Sequence, residues 1–248
     1  MSGTLLVTGG GRGIGAAVAR LGAAAGYAVC VNYRSNAVAA EAVVAEIDRA
    51  GGTALAVQAD VAREEDVERL FTTVDAELPP LKALVNNAGI TGRIGRLEDV
   101  STETLRDVMD LNVLGLIWCC QAGVRRMAKR HGGNGGAIVN LSSGAATLGS
   151  PDTFVWYAAS KGAVDSLTVG LALENARDGL RVNAVAPGLV RTALHLDSGM
   201  PARLETLPPQ TPIGRAAEPE EIAEAVLWLL SDKASFTTGT VLRVAGGR

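Results

Sequence analysis

A tyrosine and a lysine stand four positions apart in the segment WYAASK, at Tyr157 and Lys161, with only small residues between them. On a helix, positions i and i+4 lie on one face, one turn apart. An ammonium group beside a phenol favours the phenolate and lowers a tyrosine pKa that is otherwise about 10. Such a pair would suit proton transfer near neutral pH. The alternative is a solvent-facing helix on which the two residues fall by chance.

A second group of residues could hold a phosphate. The segment TGGGRGIG, residues 8–15, follows a short apolar run, and its glycines are spaced G-x-x-x-G-x-G at Gly9, Gly13 and Gly15. This spacing departs from the strict G-x-G-x-x-G dinucleotide fingerprint. The physical basis is unchanged, because glycines permit a tight turn and the next helix presents N–H groups and a positive dipole end to a pyrophosphate. An ordinary glycine-rich turn is the alternative, but the position after the first strand favours nucleotide binding.

The residues after the second and third predicted strands indicate which dinucleotide would bind. An acid that closes the second strand binds the ribose hydroxyls of NAD. Here that strand ends in VNYRS without a carboxylate, while Arg34 stands just beyond it and Arg12 lies in the glycine turn. Two guanidinium groups at the place of a 2′-phosphate favour NADP over NAD, unless both are solvated surface residues. Asp60, which closes the third strand, could accept from an adenine amino group or cap the helix that follows.

The elements that must position these residues alternate regularly along the chain. Apolar runs predict strands at TLLVT, AVCVNY, ALAVQAD, ALVNNAG, AIVNLSS, RVNAVAP and TVLRVAG. Periodic segments predict helices over 13–25, 36–50, 63–78, 102–130, 157–177 and 219–231. Runs of Val, Leu and Ala with little polar alternation are typical of strands buried on both faces of a parallel sheet. We therefore predict an α/β chain: a single-domain Rossmann fold with a doubly wound parallel seven-stranded sheet between two helix layers.

Composition excludes several other classes of protein. The 248 residues are 48% hydrophobic and 20% charged with a net charge of -3, which allows a substantial core in one domain over 1–248 and gives no support for nucleic acid or an anionic membrane as partner. Three cysteines without a C-x-x-C pair indicate neither a disulfide framework nor a metal site. Without a basic opening segment or a long apolar run, a cytoplasmic protein is expected. The proline-containing stretch over about 189–217 is predicted to be a substrate lid.

Taken in order, these motifs resemble the short-chain dehydrogenase/reductase family. The residues that carry the resemblance are TGxxxGxG at 8–15, NNAG at 86–89, Asn112, the serine pair at 142–143, Tyr157-x-x-x-Lys161 and the PG pair at 187–188. The closing segment TGTVLRVAGG is also similar to that family. The resemblance covers nearly the whole chain, and the ordered set is far more specific than any one motif.

The resemblance implies a role for each catalytic position. Tyr157 would be the general acid and base, and Lys161 would lower the tyrosine pKa and bind the nicotinamide ribose. Ser143 would hold the substrate oxygen. Asn112 would help seat a water in a proton relay that runs through Lys161.

The resemblance also implies contacts with the cofactor. Asn87, Ala88 and Gly89 would line its cleft. Pro187 and Gly188 would meet the nicotinamide, and Val190 and Thr192 would fix its carboxamide. The predicted NADP(H) site, with NAD(H) less favoured, comprises Gly9, Arg12, Gly13, Ile14, Gly15, Arg34, Asp60, Val61, Asn87, Ala88, Gly89, Tyr157, Lys161, Pro187, Gly188, Val190 and Thr192.

Several alternatives stay open at this point. Ser143 stands fourteen residues before Tyr157 and Ser142 stands fifteen, whereas family members commonly show about thirteen, so Ser143 is chosen and Ser142 is retained as the second candidate. Asn112 could instead be a buried structural asparagine. Phe154 and Trp156 could form a wall of the substrate pocket or pack in the core. His195 could touch the substrate or face solvent.

The expected reaction is reversible hydride transfer between NADP(H) and a small-molecule carbonyl compound or secondary alcohol. The chain generally resembles 3-oxoacyl-[acyl-carrier-protein] reductases, and the basic run RRMAKR at 125–130 could dock a carrier protein. Asp178 stands where a second docking arginine is expected, which weakens that hypothesis. A non-catalytic NADP-binding sensor is the alternative from another class. The resemblance further implies a homotetramer, or a homodimer, formed through two long helices and the C-terminal strand.

Overall fold

The sheet has seven parallel strands. A computed structural model describes residues 3–200 and 202–248, without the side chains of His195 and Leu196. The strand order is β3-β2-β1-β4-β5-β6-β7. The strands are β1 (Thr4–Val7), β2 (Ala28–Tyr33), β3 (Thr53–Gln58), β4 (Leu81–Asn86), β5 (Gly136–Leu141), β6 (Leu180–Pro187) and β7 (Val241–Val244).

Helices cover both faces of this sheet. They are α1 (Gly13–Ala24), α2 (Ala37–Arg49), α3 (Glu64–Glu77), α4 (Thr102–Met109), α5 (Leu116–Met127), α6 (Ala145–Leu148), α7 (Val155–Asn175), α8 (Leu194–Asp197), α9 (Arg203–Thr206) and α10 (Pro219–Leu230). On one face, α1, α2 and α10 pack against the strands, and on the other face α3, α5 and α7 do. The predicted single-domain, doubly wound fold is confirmed.

The central strands are buried on both sides. In β1, Leu5 and Val7 belong to the core under α1 and α10, while Leu6 between them belongs to the core under α5 and α7. Successive side chains point to opposite faces of a strand, so every position of β1 has to be apolar or hydrogen-bonded. This explains why the strand sequences show no polar alternation.

The strand order reverses between β1 and β4. β1 pairs with β2 on one side and with β4 on the other, all in parallel register. The loops after β1 and β4 therefore part from each other at the carboxyl edge of the sheet, which opens a crevice there. This crevice places the glycine turn after β1 next to Asn87 and the residues that follow β4.

Two predicted boundaries differ from the structure. The helix predicted over 102–130 is α4 and α5 joined by a π-helical segment, Asp110–Gly115, and it ends at Met127. The helix predicted over 157–177 begins earlier, at Val155. The stretch 189–217 is not entirely irregular, since it contains the short helices α8 and α9. None of the described helices combines the length and the apolar character needed to cross a membrane.

Candidate active site

A cleft of about 870 Å³ runs along the carboxyl edge of the sheet. It extends from the glycine turn after β1 to the residues of the segment 189–217 that lie over β5 and α7. Among the predicted site residues, those that line it are Gly9, Arg12, Gly13, Ile14, Arg34, Asp60, Val61, Asn87, Ala88, Gly89, Ser143, Tyr157, Lys161, Pro187, Gly188, Val190 and Thr192. Gly15 and Asn112 lie behind the wall of the cleft.

The glycine turn has the backbone shape that an anion requires. Gly9 and Gly13 adopt left-handed backbone conformations, with φ of 62° and 52°, which residues other than glycine rarely adopt. At Gly15 a Cβ atom would stand 2.4 Å from the carbonyl oxygen of Gly9, so only glycine fits there. The first turn of α1 contains no acidic residue, and no described side chain caps it. The N-terminus of α1 therefore suits a pyrophosphate.

Buried polar side chains hold the turn in place. The Thr8 hydroxyl accepts hydrogen bonds from the backbone N–H groups of Asn87 and Ala88, each at 3.0 Å. Asn87 Nδ2 in turn donates to the carbonyl oxygens of Thr8 and Gly9 at 2.9 and 3.0 Å. Asn32 Oδ1 accepts from the Gly9 N–H at 3.3 Å. The sequence analysis missed Asn32, although a polar residue in an otherwise apolar strand was a visible signal.

The charged residues predicted for the cofactor differ in their surroundings. Arg34 is exposed at the rim of the cleft. Arg12 also lines the cleft, but its Nη2 atom lies 2.7 Å from Asp197 Oδ2 in α8, so it bridges the glycine turn to the segment 189–217. Asp60 Oδ1 accepts a hydrogen bond from the Ala62 N–H at 3.1 Å, just before α3 begins. One oxygen of this carboxylate therefore orders the local backbone.

Tyr157 and Ser143 meet in the middle of the cleft. Tyr157 is 8% exposed, and its ring packs edge-on against Phe154 with 5.4 Å between ring centroids. The Ser143 side chain lies near enough to Tyr157 to lower the pKa of its phenol. Ser143 Oγ also accepts from the Ala145 N–H at 3.1 Å, which orients the hydroxyl at the start of α6. Of the two candidate serines, the geometry favours Ser143.

The electrostatics of Tyr157 differ from the expectation. Burial raises the Tyr157 pKa, and the hydrogen bond from Ser143 and the charge of Arg203 counter this only in part. Lys161 Nζ lies 5.7 Å from the centre of the tyrosine ring and donates to the Leu141 carbonyl at 2.7 Å. Lys161 is not among the groups that shift the Tyr157 pKa here, so the expected lowering of that pKa by Lys161 stays a prediction. Burial also lowers the Lys161 pKa to about 8.

Asp165 is an acidic neighbour that the sequence analysis missed. It lies one turn after Lys161 on α7, and its charge raises the Lys161 pKa while burial lowers it. Partial burial raises the Asp165 pKa, and the nearby Ser142 hydroxyl and Lys161 lower it. Ser142 Oγ approaches this carboxyl without a well-aligned hydrogen bond of its own. Ser142 is thus associated with Asp165, which further separates it from the role expected of Ser143.

Asn112 is fully buried in the π-helical segment, and its side chain is used inside the protein. Its Oδ1 atom accepts from the Ile90 N–H at 2.9 Å, and its Nδ2 atom donates to the Ile90 carbonyl at 2.8 Å and to Ser160 Oγ at 3.1 Å. Ser160 Oγ donates to the Tyr157 carbonyl at 2.7 Å. Asn112 therefore connects the loop after β4 to the turn of α7 that carries Tyr157.

The remaining candidates separate into cleft and core. Phe154 lines the cleft, whereas Trp156 is buried outside it and donates from Nε1 to the Thr91 carbonyl at 2.8 Å. The side chain of His195 lies outside the described residues. Arg203 of α9 was not predicted, because nothing in the sequence distinguishes it from other arginines, yet its Cζ atom lies 5.3 Å from the Phe154 ring centre. Among the described residues, no cluster of three or more His, Cys, Asp or Glu side chains could hold a metal ion.

Known proteins resemble the chain over nearly its full length. Residues 9–248 match the family model described as enoyl-(acyl carrier protein) reductase. An uncharacterised oxidoreductase of Escherichia coli, YgfF, is 49% identical over 243 residues, 98% of each chain. A 3-oxoacyl-[acyl-carrier-protein] reductase of Synechocystis is 40% identical over 98% of this chain and 95% of its own. The crystal structure of a short chain dehydrogenase from Burkholderia cenocepacia in complex with NADP has a TM-score of 0.90 and 35% identity, covering 99% of this chain and 97% of that one.

Proposed function

Because the chain belongs to the short-chain dehydrogenase/reductase family of oxidoreductases, we propose that it transfers a hydride between NADP(H) and a carbonyl compound or secondary alcohol. One observation carries this proposal. A single cleft joins an uncapped, glycine-lined helix N-terminus to a buried Tyr157 with the Ser143 side chain beside it and Lys161 one turn away. An anion-binding end and a proton-donating end in the same cleft are what a nicotinamide oxidoreductase requires.

The residues present fit a dinucleotide. A bound nicotinamide would supply or accept the hydride. The backbone of the turn over 9–15 would bind the pyrophosphate, and Arg34 and Arg12 would bind a 2′-phosphate. Arg12 is paired with the half-exposed Asp197, and an exposed ion pair of this kind contributes at most about 1 kcal/mol. Arg12 can therefore leave Asp197 and bind a phosphate instead. The NADP complex of the Burkholderia cenocepacia relative supports the same cofactor here.

Tyr157 would act as the general acid in the reductive direction. Because burial raises its pKa, the phenol keeps its proton at neutral pH and can give that proton to the substrate oxygen. Ser143 would donate a hydrogen bond to the same oxygen as negative charge develops on it. Lys161, with its pKa lowered to about 8, would return a proton toward the tyrosine between turnovers. In the oxidative direction the same groups would act in reverse.

We propose that Asn112 positions this machinery. Both hydrogens of its amide are used by Ile90 and Ser160, so its side chain has none left to donate to a water. A relay water could therefore only donate a hydrogen bond to Asn112, either at Oδ1 or at the backbone carbonyl. Asn112 donates to Ser160, and Ser160 donates to the Tyr157 carbonyl. These hydrogen bonds hold the backbone of Tyr157 in position in the cleft.

A carrier-protein substrate is the second candidate, favoured by the name of the Synechocystis relative. The basic run 125–130 is less available than its sequence suggests. Arg126 is paired with Asp75 at 2.8 Å, and Arg130 is paired with Asp178. These ion pairs reduce the charge that a carrier protein would meet, which favours a small free substrate. A non-catalytic sensor is disfavoured because Ser143, Tyr157 and Lys161 all line one cleft.

The proposal is tested by following the absorbance of reduced cofactor with a panel of ketones, aldehydes, sugars and acyl thioesters. We expect turnover of at least one class and a higher kcat/KM with NADPH than with NADH. Arg34→Ala should reduce this preference by about tenfold or more through loss of a charge-assisted contact. Arg49→Ala, an exposed arginine remote from the cleft, is the matched control. Equal use of both cofactors by the wild type would leave Arg12 and Arg34 as surface residues, and NADPH binding without any turnover would favour the sensor.

A further inference from the structure

The substrate end of the cleft is positively charged. Arg203 and Arg248 both line it, as does Lys161. Among the described lining residues the one acidic side chain is that of Asp60, which follows β3 at the opposite, cofactor end. A lining of this kind lowers the energy of an anion and raises that of a cation. The region around Tyr157 therefore favours an anionic ligand over a cationic one.

Arg203 is held in place by weak partners. Its Cζ atom lies 5.3 Å from the centre of the Phe154 ring, and Nη1 lies 3.2 Å from Met200 Sδ. Its Nε atom is buried and has no hydrogen-bond partner among the described residues. No carboxylate of those residues lies within ion-pair distance of its guanidinium. A guanidinium has five N–H donors, and an aromatic face and a thioether satisfy them poorly.

This cation lies close to the reacting group. The Phe154 ring under Arg203 packs edge-on against the Tyr157 ring. The charge of Arg203 lowers the Tyr157 pKa, in keeping with this placement. Burial, and then the charge of Arg248, lower the Arg203 pKa. Arg203 is half-buried and Arg248 is exposed, and a like charge beside a half-buried guanidinium is unfavourable until an anion joins them.

We propose that the substrate carries an anionic group, a carboxylate or a phosphate, which binds Arg203 with Arg248 beside it, while its carbonyl or hydroxyl group lies at Tyr157. This inference rests on the proposed oxidoreductase function and adds the substrate class to it. Carboxylate and phosphate share the geometry that a guanidinium recognises through paired N–H donors. Neutral carbonyl compounds of the same shape would leave these donors unmet and would be poorer substrates.

The experiment compares charged and neutral forms of one substrate. Pyruvate, acetoacetate and levulinate are assayed with NADPH beside their methyl esters, and dihydroxyacetone phosphate beside dihydroxyacetone. The oxo acids and the phosphate together distinguish the two kinds of anion. We expect kcat/KM for the anion of at least one pair to exceed that of its neutral counterpart by about ten- to a hundredfold, the range of a hydrogen bond to a charged group.

Variants identify the residue responsible. Arg203→Gln should abolish the preference, mainly through KM for the anion, and lower kcat/KM for the anion far more than for the neutral compound. Arg203→Lys should keep part of the preference, because the charge stays and the paired donors are lost. Arg49→Gln makes the same change of net charge on an exposed site outside the cleft and should keep the preference in full.

Two results would overturn the inference while the proposed function stands. One is turnover in which neutral compounds are equal to or better than their anions in every pair. The other is an equal loss for both members of a pair in Arg203→Gln. If no compound is turned over, the proposed function is in question, and calorimetric titration of the same anions into the NADP-bound protein decides the anion site. Binding that Arg203→Gln abolishes supports the site, and absence of binding to the wild type rejects it.

Discussion

Tyr157 and Lys161 lie one turn apart on α7, and burial acts on the two groups in opposite directions. Burial raises the phenol pKa and lowers the ammonium pKa to about 8. In both cases burial stabilises the neutral form relative to the charged form, because a buried site disfavours charge. At neutral pH the tyrosine therefore holds its proton, and the lysine can release one at little cost. This is the condition that a proton donor and its source must meet in the reductive direction.

The clearest prediction at this scale concerns the phenolic hydroxyl. Tyr157→Phe should lower kcat by about a hundred- to ten-thousandfold, the range of a general acid, while the Kd for NADPH changes little. The ring of phenylalanine keeps the edge-on contact with Phe154, so the fold should be retained. Tyr27→Phe, a buried tyrosine outside the cleft, is the matched control and should keep kcat. Turnover near that of the wild type in Tyr157→Phe would contradict the assignment.

Lys161 leads to a prediction about stability and pH. Its pKa is about 8 in the folded chain, whereas an ordinary lysine, as in the unfolded chain, has a pKa of 10.5. The charged form is therefore disfavoured only in the folded state. Below pH 8 both states bind the proton and the full cost, on the order of 3 kcal/mol, is present. Between about pH 8 and 10.5 the unfolded state binds more protons, so the stability of the wild type rises with pH.

The measurement is the free energy of unfolding by denaturant at several pH values. Lys161→Met removes the titrating group, so the wild type should gain stability relative to this variant as pH rises from 8 to 10. Using the difference cancels groups that the two proteins share, and Lys233→Met, at an exposed lysine, provides the control. A difference between wild type and Lys161→Met that does not change with pH would mean that Lys161 is not buried as a charge.

Sequence patterns predicted the residues that lie on regular elements better than those that depend on the tertiary structure. Tyr157 and Lys161 were predicted to face one cleft because their spacing matches a helical turn, and both line the cleft. Asn112 was found by its place in an ordered set, but the partners of its amide, Ile90 and Ser160, are not deducible from spacing. Arg203 carries no local signal, since its importance comes from Phe154 beneath it and from the absence of a paired acid among the described residues.

At the scale of elements, the turn between β1 and α1 depends on close backbone approach. At Gly15 a Cβ atom would lie 2.4 Å from Gly9 O and 2.5 Å from Asn87 Nδ2, which ties the turn to the loop after β4. Gly15→Ala should therefore destabilise the protein by about 1–3 kcal/mol, as overpacking does, and weaken NADPH binding. Denaturant unfolding and NADPH fluorescence titration give the two values.

Gly170→Ala is the matched control for this turn. Gly170 lies on α7 outside the cleft, with nothing within 4 Å of its missing Cβ in the single chain, so alanine should not destabilise the chain itself and should leave NADPH binding unchanged. If Gly15→Ala behaves like Gly170→Ala, the close packing at the turn does not matter for either stability or the cofactor.

The positions of most elements were predictable because each strand and helix has a pattern of its own. The π-helical segment Asp110–Gly115 was not, since it interrupts a continuous periodic run. There a Cβ on Gly115 would lie 2.3 Å from the Val61 carbonyl oxygen, a contact between segments far apart in sequence. The short helices of 189–217 were also missed, because helices of four residues have too little periodicity to be recognised.

At the scale of the whole molecule, the two long helices leave apolar side chains uncovered. The α4–α5 region exposes Met109 and Leu114, and α7 exposes Val169 and Leu173. The π-helical segment packs against α7, so these side chains lie on neighbouring elements. Exposed apolar side chains that cluster on a surface often mark a protein interface. We propose that this surface joins copies of this chain into a homotetramer, or a homodimer, as the resemblance to the family implies.

Light scattering on the purified protein tests this assembly. We expect a mass that is a multiple of the 25.5 kDa chain, four times for the tetramer. Leu173, which is 79% exposed in the single chain, would lie in the interface, so Leu173→Glu should lower the mass to that of a smaller species because a carboxylate would be buried there.

Val38→Glu is the matched control, since Val38 is 78% exposed but lies on α2, on the other face of the sheet. Both variants make the same change in charge and apolar surface, so dissociation of Leu173→Glu alone would locate the interface on α7. A monomeric wild type, or an unchanged mass for Leu173→Glu, would show that these helices do not join the copies.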